Sequence, residues 1–217
     1  MNRRDILKGA ALLGMALPMA GVSAAQAAPA VGLPSPQTGG GLPLMEALAK
    51  RRSIREFGPG KLPLQMLSNL LWAAFGVNRP ETGMRTAPSA HNTQEIALYL
   101  AMEEGLYVYE HKSHALQPLS PLDLRARTGF QAFAAQAPLN LIFVADLARA
   151  GGASEDHMLY VAADVGFISQ NVYLFCASEG LATVFRGAID YDKLARTLQL
   201  GAGQFVTFAQ TVGYPRG

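Results

Sequence analysis

One apolar stretch with a helical period, from about Ser154 to Gly180, limits what this chain can fold into. Ser154 is a favoured residue for a helix N-cap, and Gly180 is a favoured residue for a helix end. Large apolar residues follow the helical period on one face, and small residues form another side; the two sets are Val161, Val165, Ile168, Val172 and Phe175, and Ala162, Ala163, Gly166 and Ser169. A helix that is apolar nearly all round is buried. The pattern predicts a central helix and leaves open whether its own subunit or a second one covers it.

Shorter patterns on either side of this helix predict a mixture of helices and strands. Helices are expected near residues 44–51, 63–75, 121–136 and 190–198. Strands are expected near residues 96–102, 106–109, 115–119, 139–144, 181–185 and 205–212. No repeat or second linker divides this part of the chain. We therefore predict one α+β domain over residues 43–217.

The first 27 residues are typical of an export signal. Arg3 and Arg4 precede an apolar run from Gly9 to about Val22, which is too short for a comfortable membrane span. Small residues then offer a cleavage site after Ala27. The pattern predicts recognition by the twin-arginine export machinery and a periplasmic location; the alternative is an uncleaved N-terminal anchor. Residues 28–42, rich in Pro and Gly, are expected to form a flexible leader.

Charge and cysteine content exclude some classes of function. The formal net charge of the chain is +2, which equals the contribution of four residues in the export signal, Arg3, Arg4, Lys8 and Asp5. The remainder is near neutral, so nucleic acid is not an expected partner. The single cysteine, Cys176, lies in the apolar helix and is expected to be a buried thiol.

A metal site is not predicted either. Glu110, His111 and His114 cluster at a predicted hairpin, but they lack a further ligand at a spacing typical of metal sites.

The segment Arg51-Arg52-Ser53-Ile54-Arg55 follows the first predicted helix. In an extended chain, residues 51, 53 and 55 point the same way, so two guanidinium groups and a hydroxyl converge. Such a set suits a phosphate monoester, because Arg offers planar paired donors that match phosphate oxygens. The alternative is a helix C-terminus at which cations complement the helix dipole.

The irregular segment 78–94 is the second candidate. It contains Pro80, Gly83 and Pro88, and it ends in the polar run 89–94 beside small residues that leave the backbone accessible. Long irregular segments in compact domains are usually functional. The run is suited to a flat polar ligand, although a plain connecting loop explains it too.

Five motifs in order resemble the FMN-dependent nitroreductase superfamily, and most closely its thiazole/oxazole (azoline) dehydrogenase branch. The motifs are Arg51 to Arg55, Pro88 to Gln94, Ala177-Ser178-Glu179-Gly180-Leu181, Phe185-Arg186-Gly187 and Gly213-Tyr214-Pro215. The likeness covers residues 43–217. It implies a central, mainly antiparallel sheet flanked by helices, one long central helix, and a homodimer that holds two FMN molecules at the subunit interface.

The resemblance also implies roles for individual residues. Arg51, Ser53 and Arg55 are expected to hold the ribityl phosphate, with Arg52 at the isoalloxazine edge. The flavin is expected to be lined from the partner subunit by a loop of Pro88, Ser89 and Ala90, supported by Asn92 and Gln94. Val184, Phe185, Arg186 and Gly187 are expected to run along the ring, with the backbone N–H of Arg186 or Gly187 near N5 and Gln131 at the pyrimidine edge. Many members continue past Gly-Tyr-Pro into a basic segment, whose phosphate contacts fall here to Arg216.

The expected function is that of an FMN-dependent oxidoreductase acting on a nitro compound, a quinone or an azoline heterocycle. Flavin carries the electrons, so no catalytic side chain is required of the protein. Export separates the chain from cytosolic NAD(P)H, and therefore a quinone or a redox protein is the expected electron partner. The alternatives are a flavin-binding or FMN storage protein without turnover, and a structural module whose arginines only end a helix.

Overall fold

The computed structural model describes residues 28–217, so the predicted export signal, residues 1–27, lies outside it. Within this range the helices are α1 (Leu44–Lys50), α2 (Leu64–Phe75), α3 (Phe133–Gln136), α4 (Leu147–Ala150), α5 (Glu155–Glu179) and α6 (Tyr191–Thr197). The strands are β1 (Val31–Gly32), β2 (Val77–Arg79), β3 (Met84–Arg85), β4 (Ile96–Met102), β5 (Gly105–Glu110), β6 (Ala115–Ser120), β7 (Leu139–Asp146), β8 (Ala182–Arg186) and β9 (Gln204–Gly213). Two single turns of 3₁₀ helix, Ala90–Asn92 and Arg125–Arg127, complete the elements.

A central sheet of seven strands confirms the predicted α+β fold. Its order is β1-β6-β5-β4-β7-β9-β8, and every neighbouring pair is antiparallel. Successive residues of β7 point to opposite faces, as strand geometry requires. Leu141 and Phe143 pack with α2 and α5 on one face. Ile142 and Val144 pack with α6 on the other face, so each face of the sheet has its own helical cover.

Helix α5 is the central helix that the apolar pattern predicts. The hydroxyl of Ser154 accepts a hydrogen bond from the His157 amide at 3.3 Å, and Gly180 ends the helix in the left-handed conformation at φ 69°. The helix packs against α1, α2 and β8. The side of small residues is only partly covered: Ser169 is buried, whereas Ala162, Ala163 and Gly166 are exposed.

Residues 28–42 are a correction to the expected flexible leader. They contain β1, which pairs with β6 and covers the edge of the sheet. The Pro34 carbonyl accepts a hydrogen bond from the Ser68 hydroxyl, and the Leu42 amide donates to the Ser178 hydroxyl at 2.8 Å. Composition indicated flexibility, but these backbone hydrogen bonds fix the segment against α2 and α5.

The predicted helix over residues 121–136 is also wrong. This segment forms only the short turn Arg125–Arg127 and the four residues of α3. The Asp123 carboxylate accepts from the Arg125 amide at 3.0 Å, and the Thr128 hydroxyl donates to the Arg125 carbonyl at 2.8 Å. Such local side-chain bonds compete with a regular helix.

A partly buried chain of hydrogen bonds holds residues 28–42 to the sheet. The Pro34 carbonyl can only accept, so the hydroxyl of Ser68 donates to it. His114 Nε2 therefore donates to Ser68 Oγ at 2.7 Å, and the hydroxyl of Tyr109 donates to His114 Nδ1 at 2.8 Å. Burial lowers the pKa of His114, which favours this neutral ring.

We expect Ser68→Ala to lower the free energy of unfolding by about 1–3 kcal/mol, because it leaves the Pro34 carbonyl and His114 without their buried partner. Urea denaturation of the variant and of wild type measures the difference. Ser113→Ala, at an exposed turn, is the matched control and should change the free energy of unfolding by less than about 0.5 kcal/mol. Equal losses in both variants would contradict the role given to Ser68.

Candidate functional site

The arginine segment leaves α1 in extended form. Arg51, the first residue after the helix, has φ −55° and ψ 122°. The chain then follows the free edge of β8, with the Ile54 amide donating to the Thr183 carbonyl at 2.9 Å. As the alternation of an extended chain predicts, Arg51 and Ser53 lie on one side and both contact Tyr173.

Tyr173, on α5, is the residue around which this part of the site is built. The guanidinium of Arg51 lies over its ring at 5.3 Å from the centroid. The Phe185 amide donates to the Tyr173 hydroxyl at 2.9 Å, and that hydroxyl forms a hydrogen bond with the Ser53 hydroxyl at 2.8 Å. Tyr173 therefore joins the arginine segment to β8. Sequence reasoning missed it, although a tyrosine in an apolar helix needs a polar partner for its hydroxyl.

Four arginines collect at this edge of the sheet. Arg52 and Arg55 are exposed, and the Arg216 amide donates to the Glu56 carbonyl at 3.2 Å, which brings the C-terminal segment alongside the arginine segment. Within residues 28–217, none of these four arginines forms an ion pair with a carboxylate. Arginines that lie on neighbouring segments and form no ion pair with a carboxylate favour an anion at this edge.

The end of β8 adjoins this cluster. Phe185 packs between two other aromatic rings, with its centroid 4.7 Å from that of Phe208 and 6.0 Å from that of Phe143. Val184 is buried on the opposite face of the strand. Gly187 follows the strand, and its carbonyl accepts from the hydroxyl of Tyr191 at 2.8 Å. The backbone at 185–187 is thus held from both sides.

The side chain of Arg186 has a structural role that the sequence did not indicate. It is 4% exposed and donates five hydrogen bonds, to the Thr128 carbonyl and hydroxyl, Gln131 Oε1, Asn140 Oδ1 and the Thr211 hydroxyl. Burial lowers its pKa to about 10, which still leaves it charged at neutral pH. Gln131, expected at a pyrimidine edge, is therefore held at the end of β8 by Arg186.

The loop from Pro88 to Gln94 is the second half of the candidate site. The side chain of Gln94 accepts from Arg85 Nε at 2.9 Å and donates to Asn92 Oδ1 at 3.0 Å. The backbone N–H of Gln94 donates to the Ser89 hydroxyl at 3.0 Å. His91, Asn92 and Gln94 all have positive φ, at 51°, 56° and 49°. Side chains rarely adopt this conformation, which costs about 1–3 kcal/mol for each residue and concentrates at functional sites.

Two buried carboxyl groups lie beneath this loop, and sequence reasoning missed both. Asp164 and Glu95 are 2% and 3% exposed. The Ala90 amide donates to Asp164 at 2.9 Å, and the Thr93 hydroxyl donates to Glu95 at 2.6 Å. Burial, together with the nearby Glu95, raises the pKa of Asp164 to about 6. The signal in the sequence was an isolated aspartate in an apolar helix.

The two halves lie on different sides of α5 in one chain. Asp164 and Tyr173 are nine residues apart, which corresponds to about 14 Å along the axis and about two and a half turns. The loop and the arginine segment therefore face opposite sides of the helix.

Comparisons with known proteins identify this arrangement. Residues 48–214 match the family model described as "Nitroreductase family". A candidate nitroreductase of Methanocaldococcus jannaschii, MJ1384, is 36% identical over 166 residues, which cover 71% of this chain and 83% of that protein. The crystal structure of a candidate nitroreductase from Ralstonia eutropha has a TM-score of 0.82 and 41% identity, over 87% of this chain and 90% of the other.

Two more distant structures share the fold. NADPH:FMN oxidoreductase from Vibrio harveyi, complexed with NAD⁺, has a TM-score of 0.60 and 20% identity, over 80% of this chain and 69% of the other. A chain of the E. coli microcin synthetase McbBCD complex has a TM-score of 0.67 and 19% identity, over 75% and 68%.

The fold and these matches define the chain, at the level of its class, as a flavin-type oxidoreductase. It belongs to the nitroreductase family.

We expect Arg186→Met to lower the free energy of unfolding by about 2–4 kcal/mol, because it keeps the volume but leaves several buried acceptors without a donor. Arg186→Lys should restore only part of this loss, since an ammonium group cannot reproduce the planar fork. Urea denaturation provides the measurement. Arg196→Met, on the exposed face of α6, is the control and should be close to neutral; a stable Arg186→Met variant would refute the structural role.

Proposed function

We propose that the chain is an FMN-dependent oxidoreductase that works as a homodimer. The observation that carries the proposal is the arginine cluster, in which Arg51 is held by Tyr173 and no arginine has a carboxylate partner within residues 28–217. A phosphate monoester carries a charge of about −1.5 to −2 at neutral pH, which matches this cluster. The Ser53 hydroxyl adds a neutral hydrogen-bonding group.

The donor set fits the cofactor. Arg51, Ser53 and Arg55 would hold the phosphate, with Arg216 beside them, and Arg52 and residues 184–187 would adjoin the ring. The flavin supplies the hydride or electron transfer when bound, whereas the protein supplies binding, orientation and electrostatics. Behind the end of β8, the buried charge of Arg186 creates a positive potential that favours negative charge at this edge.

A second copy of the chain would complete the site. Exposed apolar or small residues run along one side of α5 and continue on α1; they are Leu159, Ala162, Ala163, Gly166 and Phe167, and Leu44, Met45 and Leu48. A helix that is apolar nearly all round is normally buried, and a second copy of α5 would bury this exposed surface. Because the loop 88–94 and the arginine segment face opposite sides of α5, the loop would line the flavin held by the partner's arginines.

The substrate class follows from the family and not from a specific contact. Nitro compounds, quinones and azoline heterocycles all suit a flat site beside a flavin. The twin-arginine pattern in residues 1–27 supports export to the periplasm, where a quinone or a redox protein would replace NAD(P)H as electron partner. A protein that stores or delivers FMN would use the same contacts but would not turn over.

The first test is the visible absorption spectrum of the purified protein, with the released cofactor identified by mass. A flavin spectrum with about one FMN per chain is expected. Reduction of bound flavin by an added donor such as a quinol, followed by its reoxidation by an added acceptor such as a nitro compound, supports an enzyme. Flavin that cannot be reduced and reoxidised in place supports storage. A colourless protein that fails to bind added FMN would contradict both the enzyme hypothesis and the storage hypothesis. Rapid saturable oxidation of NADPH would contradict the proposed electron partner.

Arg51→Glu should weaken FMN binding by at least about 100-fold, because it replaces a charge-assisted hydrogen bond with repulsion of the phosphate. Quenching of FMN fluorescence on binding measures the dissociation constant. Arg196→Glu makes the same charge change on the far face of the sheet and should leave the constant within about twofold of wild type. Full flavin content in Arg51→Glu would show that the phosphate lies elsewhere.

Gly166→Arg should convert the dimer into a monomer and release FMN at the same time. A Cβ atom at Gly166 meets no other atom within 4 Å in the single chain, so the substitution should disturb the interface and not the fold. Light scattering after size exclusion gives the mass, and circular dichroism checks the fold. Gly166→Ala should remain a dimer and gain about 0.8–1.0 kcal/mol of helix stability. A wild-type monomer with full flavin would refute the shared site.

A further inference from the structure

The carboxyl groups of Asp164 and Glu95 are joined to both ends of the loop that is expected to line the flavin. Asp164 accepts from the Ala90 amide at the start of the 3₁₀ turn. Glu95 accepts from Thr93 Oγ1, and that same hydroxyl lies 3.0 Å from the Ala90 carbonyl. Glu95 is also close enough to contribute to the raised pKa of Asp164. The loop is therefore clamped to α5 through one pair of acids.

The loop needs such a clamp because its backbone is strained. Positive φ at His91, Asn92 and Gln94 persists only where surrounding contacts determine the conformation. The Gln94 side chain fixes the C-terminal end of the loop through Arg85. At the N-terminal end, Ala90 is fixed by Asp164, so removing that carboxyl would release the stretch between Ala90 and Asn92.

Two adjacent buried carboxylates repel each other, and a single proton between them removes the repulsion. Glu95 Oε1 is buried and has no donor among residues 28–217. A proton on Asp164 would supply a donor for this unpartnered oxygen.

Charged and titratable groups from several elements surround the pair. Arg149 of α4 donates to the Thr93 carbonyl at 3.4 Å, and Arg85 of β3 lies within electrostatic range of Glu95. His157 of α5 and His91 of the loop line, with Glu95, a cavity of about 10 Å³.

We propose that Asp164 and Glu95 share one proton and act as a positioning pair, which holds the loop 89–94 in its strained conformation and loosens it when the proton is lost. The inference rests on the proposed function in one respect, since that loop is the one expected to line the flavin in the partner subunit. It adds a pH dependence to the cofactor site without any group that touches the flavin.

The direction of the pH effect follows from the raised pKa of Asp164. Its ordinary value is 3.8 and its value in the folded chain is about 6. A group with a raised pKa in the folded state stabilises that state fully below about pH 4, and this contribution is lost as the pH rises through about 6. The Ala90 amide by itself favours the charged carboxylate, but burial and Glu95 outweigh it, so the net pKa is raised. The loop, which covers Asp164, should therefore be held more firmly at pH 5 than at pH 7.5.

The first measurement follows the ¹⁵N–¹H amide signal of Ala90 by NMR in the flavin-free full chain. In wild type the signal should titrate with a midpoint near pH 6. Asp164→Asn keeps an acceptor for Ala90 and adds a permanent donor towards Glu95, so its Ala90 signal should not titrate in this range. A wild-type signal that stays fixed between pH 4 and 8, or one that titrates equally in Asp164→Asn, would overturn the shared proton.

The second measurement is the dissociation constant of FMN at pH 5 and pH 7.5 for wild type and Asp164→Asn. At each pH, dividing the dissociation constant of wild type by that of Asp164→Asn cancels the titration of the FMN phosphate itself. We expect this ratio of dissociation constants to be at least about threefold larger at pH 7.5 than at pH 5. Asp164→Ala should bind FMN at least about tenfold more weakly than wild type at both pH values.

Val172→Ala is the control for lost stability. Val172 is fully buried on α5, eight residues beyond Asp164 in the sequence, and its truncation should lower stability without changing FMN affinity. Asp164→Ala that binds FMN like wild type would overturn the role in positioning. A wild-type chain that binds no flavin would refute the proposed function and the flavin part of this inference, whereas the Ala90 titration decides the loop contact on its own.

Discussion

The structure depends on the burial of α5, a helix of 25 residues that is apolar on almost every side. The sheet covers one side, and α1 and α2 cover others. These contacts explain why the short outer helices, which have little stability of their own, are held in place. The side that remains exposed carries small residues and Phe167, and a second copy of the chain is the proposed cover.

The polar residues of α5 organise the candidate site. Asp164 and Tyr173 are two buried positions where side chains of the helix form hydrogen bonds with neighbouring segments. Each binds a backbone amide, Ala90 in one case and Phe185 in the other. A polar group inside an apolar core is costly unless it is paired. The same pairing that satisfies these groups therefore fixes the loop and the edge strand relative to the helix.

The two halves of the candidate site accommodate buried charged groups in different ways. Arg186 is surrounded by neutral acceptors on Thr128, Gln131, Asn140 and Thr211, so its charge is satisfied by hydrogen bonds and is not neutralised by a carboxylate. Asp164 instead faces a second acid, and its raised pKa reflects burial and that neighbour. One half of the site thus keeps a fixed positive charge, whereas the other half responds to pH.

The sequence by itself determined the fold class, the central helix with its Ser154 and Gly180 ends, and the six strands from β4 to β9, because helical and strand periods and end residues are local signals. It also placed Arg51 and Ser53 on one side, since alternation in an extended chain is local too. Only the tertiary structure decided that residues 28–42 pack against the sheet, that 121–136 is not a helix, and that Tyr173, Asp164, Glu95 and the Arg186 side chain build the site. The segment 121–136 is interrupted by hydrogen bonds between neighbouring residues. The other features depend chiefly on hydrogen bonds between segments far apart in the chain, and no periodicity encodes such partners.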